Sequence, residues 1–122
     1  MTLRVLAIDD SRTIRSLLDA ALSDAGFEVH LAEDGRQGLD RLAETDPHVV
    51  ITDINMPVLD GFGFIEAARR DHPDRPVPIL VLTTESSPAL KDRARRAGAT
   101  GWIVKPFDEA RLIGAIERVA AV

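Results

Sequence analysis

Five parallel strands alternating with five helices, wound into an α/β sheet covered on both faces, is the fold this sequence predicts. Three observations carry it. Short apolar runs recur five times along the 122 residues, and stretches of helical period separate them. Three of the runs are nearly continuous Val, Ile and Leu, the mark of parallel strands buried on both sides. Strands and helices in strict alternation call for right-handed crossovers, which place helices above and below the sheet.

The strands are predicted at residues 5–8, 29–32, 49–52, 79–82 and 102–104. Between the first two, Ile14, Leu17, Leu18, Ala21, Leu22 and Ala25 share a helical stripe that Gly26 ends. Either Asp10 or Ser11 can cap that helix. Asp34 caps a second helix carrying Leu39 and Leu42, and Phe62, Ile65 and Ala68 mark a third that stops before Pro73. Ser87 followed by Pro88 reads as a cap plus a first-turn proline, opening a fourth helix closed by Gly98. Asp108 opens the fifth, with Leu112, Ile113, Ile116 and Val119 on one side. The fourth helix is the odd one: a thin apolar face of Leu90, Ala94 and Ala97 is crowded by Arg93, Arg95 and Arg96. Thin burial means low local stability.

Composition narrows the function. With 45% hydrophobic and 29% charged residues the chain is globular, and one domain over residues 1–122 is expected. A net charge of −5 argues against nucleic acid as a partner, which needs a basic face. No apolar run approaches the ~20 residues of a spanning helix, and no signal-peptide layout opens the chain, so a cytoplasmic location without membrane contact is expected. Without cysteine there is neither a disulfide framework nor a thiolate metal site. Of the 15 basic residues only Lys91 and Lys105 are lysine, which marks each as a candidate for work a planar guanidinium does poorly.

In open α/β sheets ligands gather at the carboxyl ends of the strands. Those ends carry Asp9 and Asp10, then Asp53, then Thr83 and Thr84, then Lys105. Each has a duller reading, such as an Asp that only caps the next helix, a Thr that only suits a strand, or a Lys that is merely solvated. Their convergence on one edge outweighs those separate readings. Two adjacent carboxylates ~4 Å apart repel by ~4 kcal/mol at an effective dielectric of ~20. A hard divalent cation such as Mg²⁺ together with one ammonium balances three carboxylates, takes oxygen ligands and keeps water positions open. Asp53 stands alone at its strand end and is the candidate nucleophile, since Asp can form an acyl phosphate.

The stretches "AIDDSRTIR", "VVITDINMPVLDGFGFI", "ILVLTTESS" and "AGATGWIVKPF" together resemble the receiver domain of bacterial two-component response regulators, over nearly the whole chain and in order. Among these the chain looks like a single-domain chemotaxis regulator of the CheY type. The flavodoxin-like strand order 2-1-3-4-5 is taken over from that resemblance, CheY being a standard instance of it. The resemblance implies that Asp53 is the phosphoacceptor. It implies Mg²⁺ held by Asp10, Asp53 and the backbone carbonyl of Asn55, with Asp9 acting largely through water. It further implies Lys105 and Thr83 on the phosphoryl oxygens, a cis peptide between Lys105 and Pro106, and Trp102 at the aromatic switch position. Hydrolysis would use water near Asn55 and Glu85. Trp102 stands where Tyr or Phe is usual, and Thr84 where a smaller residue is common.

The implied partners are a CheA-like sensor histidine kinase and a phosphorylation-dependent target such as the flagellar motor switch, with the protein a monomer and not a general enzyme. Fifteen residues follow Phe107, enough for the last helix, so no attached output domain is expected. The output face is expected to run from Arg93 and Arg96 to Trp102, with an arginine stacked on the indole. The alternative role is a stand-alone phosphate sink or phosphorelay intermediate. A Mg²⁺-dependent phosphatase of the haloacid-dehalogenase type would need an Asp where Asn55 stands. An FMN binder would need a Ser/Thr/Gly loop where Asp9 and Asp10 would repel phosphate.

Overall fold

In the computed structural model, which describes residues 2–120, ten elements alternate without exception. They are β1 (Arg4–Ile8), α1 (Arg12–Asp24), β2 (Glu28–Ala32), α2 (Gly35–Thr45) and β3 (Val49–Thr52), followed by α3 (Gly61–Asp71), β4 (Ile79–Thr83), α4 (Pro88–Ala97), β5 (Gly101–Val104) and α5 (Glu109–Ala120). All strand pairs are parallel, and the order is β2-β1-β3-β4-β5. The expected fold is the observed one.

Side-chain alternation along the strands divides the core in two. Val5 and Ala7 of β1, Val49 and Ile51 of β3, and Leu80 and Leu82 of β4 pack against Leu18, Leu22, Leu112 and Ile116, on the side of α1 and α5. Leu6, Ile8, Val50, Ile79 and Val81 point the other way, onto Leu42, Phe64, Ile65 and Ala94 of α2, α3 and α4. Each fully buried Leu, Ile or Phe contributes about 1.5–3 kcal/mol, so the sheet between two such layers is the rigid part of the molecule.

The helix ends follow the local signals, with exceptions. Ser11 Oγ accepts the Ile14 N–H at 3.3 Å, which settles the choice of cap for α1. Asp34, Asp60 and Asp108 cap α2, α3 and α5 in the same manner. Ser87 precedes Pro88 in extended conformation but makes no side-chain cap bond, so α4 starts without the expected clamp. Leu17 is 52% exposed instead of lying on the buried stripe. At 100° per residue it sits roughly a quarter turn from the line through Leu18, Ala21 and Leu22. The thin face of α4 is real: Ala94 is its one buried residue.

Candidate functional site

The site begins one residue beyond the strands. Asp9 N–H donates to Ala32 O at 3.1 Å, Asp53 N–H to Ile8 O at 3.0 Å, and Lys105 N–H to Thr83 O at 2.8 Å. Each functional residue therefore still carries a ladder hydrogen bond to the neighbouring strand, which fixes its backbone while its side chain leaves the sheet. Because Ile8 lies opposite Thr52, the next residues, Asp9 and Asp53, come to the same edge.

Lys105 joins them. Its Nζ donates to Asp9 Oδ2 at 2.6 Å and to Asp53 Oδ2 at 2.8 Å. The side chains of Lys105, Asp9 and Asp53 are only 10%, 2% and 11% exposed. Backbone amides take the other oxygens: Ser11 N–H donates to Asp9 Oδ1 at 2.9 Å and Ile54 N–H to Asp53 Oδ1 at 2.6 Å. Four fixed partial or full positive charges thus replace water around Asp9 and Asp53: the Lys105 ammonium, the Ser11 and Ile54 N–H groups, and the Arg15 guanidinium 2.7 Å from the Asp9 backbone carbonyl. Burial still pushes the Asp9 carboxyl up, with the Asp53 charge adding to it, against the bonds from Lys105 and Ser11. For Lys105 burial acts downward, but its bonds to Asp53 and Asp9 outweigh it and hold the ammonium above its usual range. The peptide that follows, Lys105–Pro106, is cis.

Asp10 completes an acidic group. It is exposed, at the mouth, and one carboxylate oxygen from each of Asp9, Asp10 and Asp53 lies within 4.8 Å of the other two. An all-oxygen set of two buried carboxylates and one facing solvent fits Mg²⁺, a hard cation that retains several waters. Asn55, in the loop after β3, is exposed and reaches across the mouth, its Nδ2 3.4 Å from Glu85 Oε1.

A second line of contacts leads away from the acidic group. Thr83 is fully buried at the end of β4, and its Oγ1 accepts the Glu85 N–H at 3.4 Å, leaving the hydroxyl proton to donate. Glu85 O in turn accepts the indole N–H of Trp102 at 3.0 Å. Glu85 is thus joined to Asn55 through its side chain and to Thr83 and Trp102 through its backbone. Thr84 is exposed beside it.

The expected arginine face is different. Arg93 and Arg96 border α3 beside Glu66, while Lys91 and Arg95 border Trp102. Spacings of three along one stripe and four along the other put the two pairs on opposite flanks of α4. Arg93 stacks on Phe62, 4.0 Å from the ring centroid, and not on the indole.

Three features of the site left no signal that local patterns could reveal. A Cβ at Gly61 would strike the Asp53 backbone oxygen, so the start of α3 lies directly against the phosphoacceptor candidate. Val58 adopts φ +70° with Leu59 N–H bonded to Pro57 O at 2.8 Å, a strained three-residue turn at the rim. The Trp102–Glu85 bond joins residues 17 apart. The "DG" of Asp60 and Gly61 was the nearest available hint for the first.

A doubly wound sheet with carboxylates and one lysine at its carboxyl edge defines the class. Residues 5–117 match the family described as the response regulator receiver domain, and the chain belongs to that family. It is 39% identical over 118 residues to the probable chemotaxis protein CheY of Rhizobium etli, covering 96% of this chain and 92% of that one. The crystal structure of the chemotaxis protein CheY4 of Vibrio cholerae superposes with a TM-score of 0.92 at 44% identity, covering 98% and 99% of the two chains. Transcriptional regulatory protein PrrA of Mycobacterium leprae is 40% identical over 114 residues, but the chain spans only 48% of its length. No helix among the described residues is long and apolar enough to cross a membrane.

Proposed function

We propose that this protein is a phosphorylation-activated switch that accepts a phosphoryl group on Asp53 from a histidine kinase of the CheA kind and passes the signal on by binding another protein. The observation that carries the reading is the Asp53 carboxylate itself: buried, held by Ile54 N–H and Lys105 Nζ, and within reach of Asp9 and Asp10. An Asp53 oxygen attacks the phosphorus of phosphohistidine, the P–N bond breaks, and its electron pair stays on the imidazole nitrogen. Lys105, already aimed at Asp53, follows the charge onto the phosphoryl oxygens, where a compact ammonium on a flexible stem suits the task. Asp9, Asp10, Asp53 and the Asn55 carbonyl would hold Mg²⁺, which when bound neutralises charge on the transferring group. The Thr83 hydroxyl donates to a phosphoryl oxygen. Water for hydrolysis is placed between Asn55 and Glu85, and Thr84 crowds its approach.

Phosphorylation adds roughly −1.5 to −2 charge and new acceptor oxygens. A Thr83 that turns toward them weakens its contact with Glu85, and Trp102 moves with the Glu85 carbonyl it holds. The flank of α4 beside Trp102 then changes shape, with Arg93 and Arg96 on the far flank. By analogy with the chemotaxis proteins above, the target is the flagellar motor switch, and a single receiver domain over residues 1–122 acts as a cytoplasmic monomer. A phosphate sink or relay uses the same chemistry without an output partner. The test is labelling with acetyl phosphate and Mg²⁺. Wild type is expected to take up one phosphoryl group and Asp53→Asn none; undiminished labelling of Asp53→Asn would move the site elsewhere.

A further inference from the structure

Arg69 is the one guanidinium whose charge burial opposes strongly enough to lower its pKa, and its hydrogen bonds reach no carboxylate. It stands on α3 and spends its fork on backbone oxygens. Nε and Nη2 donate to Gly98 O at 3.1 and 2.7 Å, and Nη1 donates to Val77 O at 2.6 Å. Gly98 is the C-cap of α4, and Val77 lies just before β4. One cation therefore ties together three elements and sits at the negative end of the α4 dipole, where a positive charge is favoured.

The rest of that end is equally well held. Gly98, at φ +116°, sends its N–H to Ala94 O and Arg95 O, and Ala99 N–H also reaches Ala94 O. Thr100 N–H donates to Ile79 O at 2.7 Å, while the Thr100 hydroxyl oxygen accepts the Ile79 N–H at 3.0 Å. A Cβ on Gly98 would come within 2.9 Å of the Arg69 side chain, so the guanidinium stem fills the space that a glycine leaves. The opposite end of α4 has little of this. Ser87 makes no side-chain cap bond, the first turn buries no residue, and the nearest tether is the Trp102–Glu85 bond.

We propose that Arg69 is a positioning residue that makes the C-terminal end of α4 a fixed pivot, so that switching swings the N-terminal end, residues 84–91, while 97–100 stay in place. It rests on the phosphoacceptor reading above and adds where the motion goes. The helix is about 15 Å long, so a rotation of about 10° about the anchored end displaces the far end by roughly 2–3 Å. That far end is next to Trp102 and carries Leu90 and Lys91. The surface a partner can read is therefore the first half of α4, not its arginine-rich second half.

Residue-resolved NMR of the ¹⁵N-labelled full chain tests this, with and without Mg²⁺ plus beryllofluoride. Wild type is expected to exchange the Lys91 amide, which is bonded to Ser87 O, about tenfold or more faster than that of Ala99. Beryllofluoride is expected to shift resonances of 84–91 and leave 97–100 stationary. In Arg69→Met, exchange at Gly98 and Ala99 accelerates about tenfold or more, and the beryllofluoride shifts spread through residue 100. Asp53 labelling by acetyl phosphate stays at the wild-type rate, which a general loss of fold would not permit. Arg69→Lys keeps the charge but loses the fork of three nitrogens that Arg69 spreads over Gly98 O and Val77 O, so it gives an intermediate pattern if Arg69→Met fails to fold. Equal exchange at both ends of α4 in wild type overturns the pivot, as does wild-type exchange at Gly98 and Ala99 in Arg69→Lys. Beryllofluoride without effect on any resonance strikes the phosphoacceptor reading instead, and the exchange gradient still decides the pivot.

Discussion

Replacing Lys105 by Met removes the ammonium between Asp9 and Asp53 and keeps most of the stem's volume. The 2.6 and 2.8 Å bonds are charge-assisted, and such bonds contribute about 1.5–3 kcal/mol each. Asp9, at 2% exposure, would be left as an unpaired buried charge, and removing one partner of a buried pair costs about 3–5 kcal/mol. Protonation offers Asp9 an escape. Its carboxyl is already raised by burial, and losing Lys105 takes away two of the three influences that hold it down, leaving the Ser11 N–H. The cost at neutral pH should therefore fall at the lower end, about 3 kcal/mol. Folded Asp9 then binds its proton more tightly than unfolded Asp9, so the folded state takes up the extra proton and stability rises as pH is lowered through the folded value. The deficit of Lys105→Met relative to wild type must narrow as pH is lowered from neutrality toward the ordinary carboxylate range. Urea unfolding followed by circular dichroism reads this directly: at a slope of about 2 kcal/mol/M, 3 kcal/mol lowers the midpoint by about 1.5 M. An unchanged midpoint at neutral pH, or a deficit that does not vary with pH, would refute the reasoning.

Other outcomes follow from the same geometry. Asp10→Ala should lose most Mg²⁺ affinity in calorimetry while changing stability by less than about 0.5 kcal/mol, because Asp10 is exposed; unchanged affinity would place the metal elsewhere. Trp102 is the only tryptophan, so its emission should change when Mg²⁺ and beryllofluoride are added to wild type and stay constant in Asp53→Ala. Trp102→Phe, which loses the bond to Glu85 O, should cost about 1 kcal/mol and can be checked by thermal unfolding. Gly61→Ala should cost about 1–3 kcal/mol and slow Asp53 labelling, since its methyl group would press on the Asp53 backbone; an Ala variant with wild-type stability and labelling would show that the approach is not tight.

Periodicity and strand-end chemistry alone were enough for the alternation of ten elements, their caps at Asp34 and Asp108, and the gathering of Asp9, Asp53, Thr83 and Lys105 on one edge. Those properties are local: a helix stripe repeats within a few residues, a buried strand is a short apolar run, and a parallel sheet sends every strand's carboxyl end the same way. What the tertiary structure alone decided depends on which elements touch. The sequence places Arg93 and Arg96 with Trp102 because arginines rim the thin apolar face of α4 on which the indole is expected to sit, but the rotation of α4 against α3 sends Arg93 to Phe62 and leaves Lys91 and Arg95 beside the indole. The Trp102 bond to Glu85, the contact of Gly61 with Asp53 and the grip of Arg69 on Gly98 and Val77 join segments far apart in sequence. A backbone carbonyl has no letter in the sequence. Which one a buried guanidinium or indole will find is decided only when the helices have been packed onto the sheet.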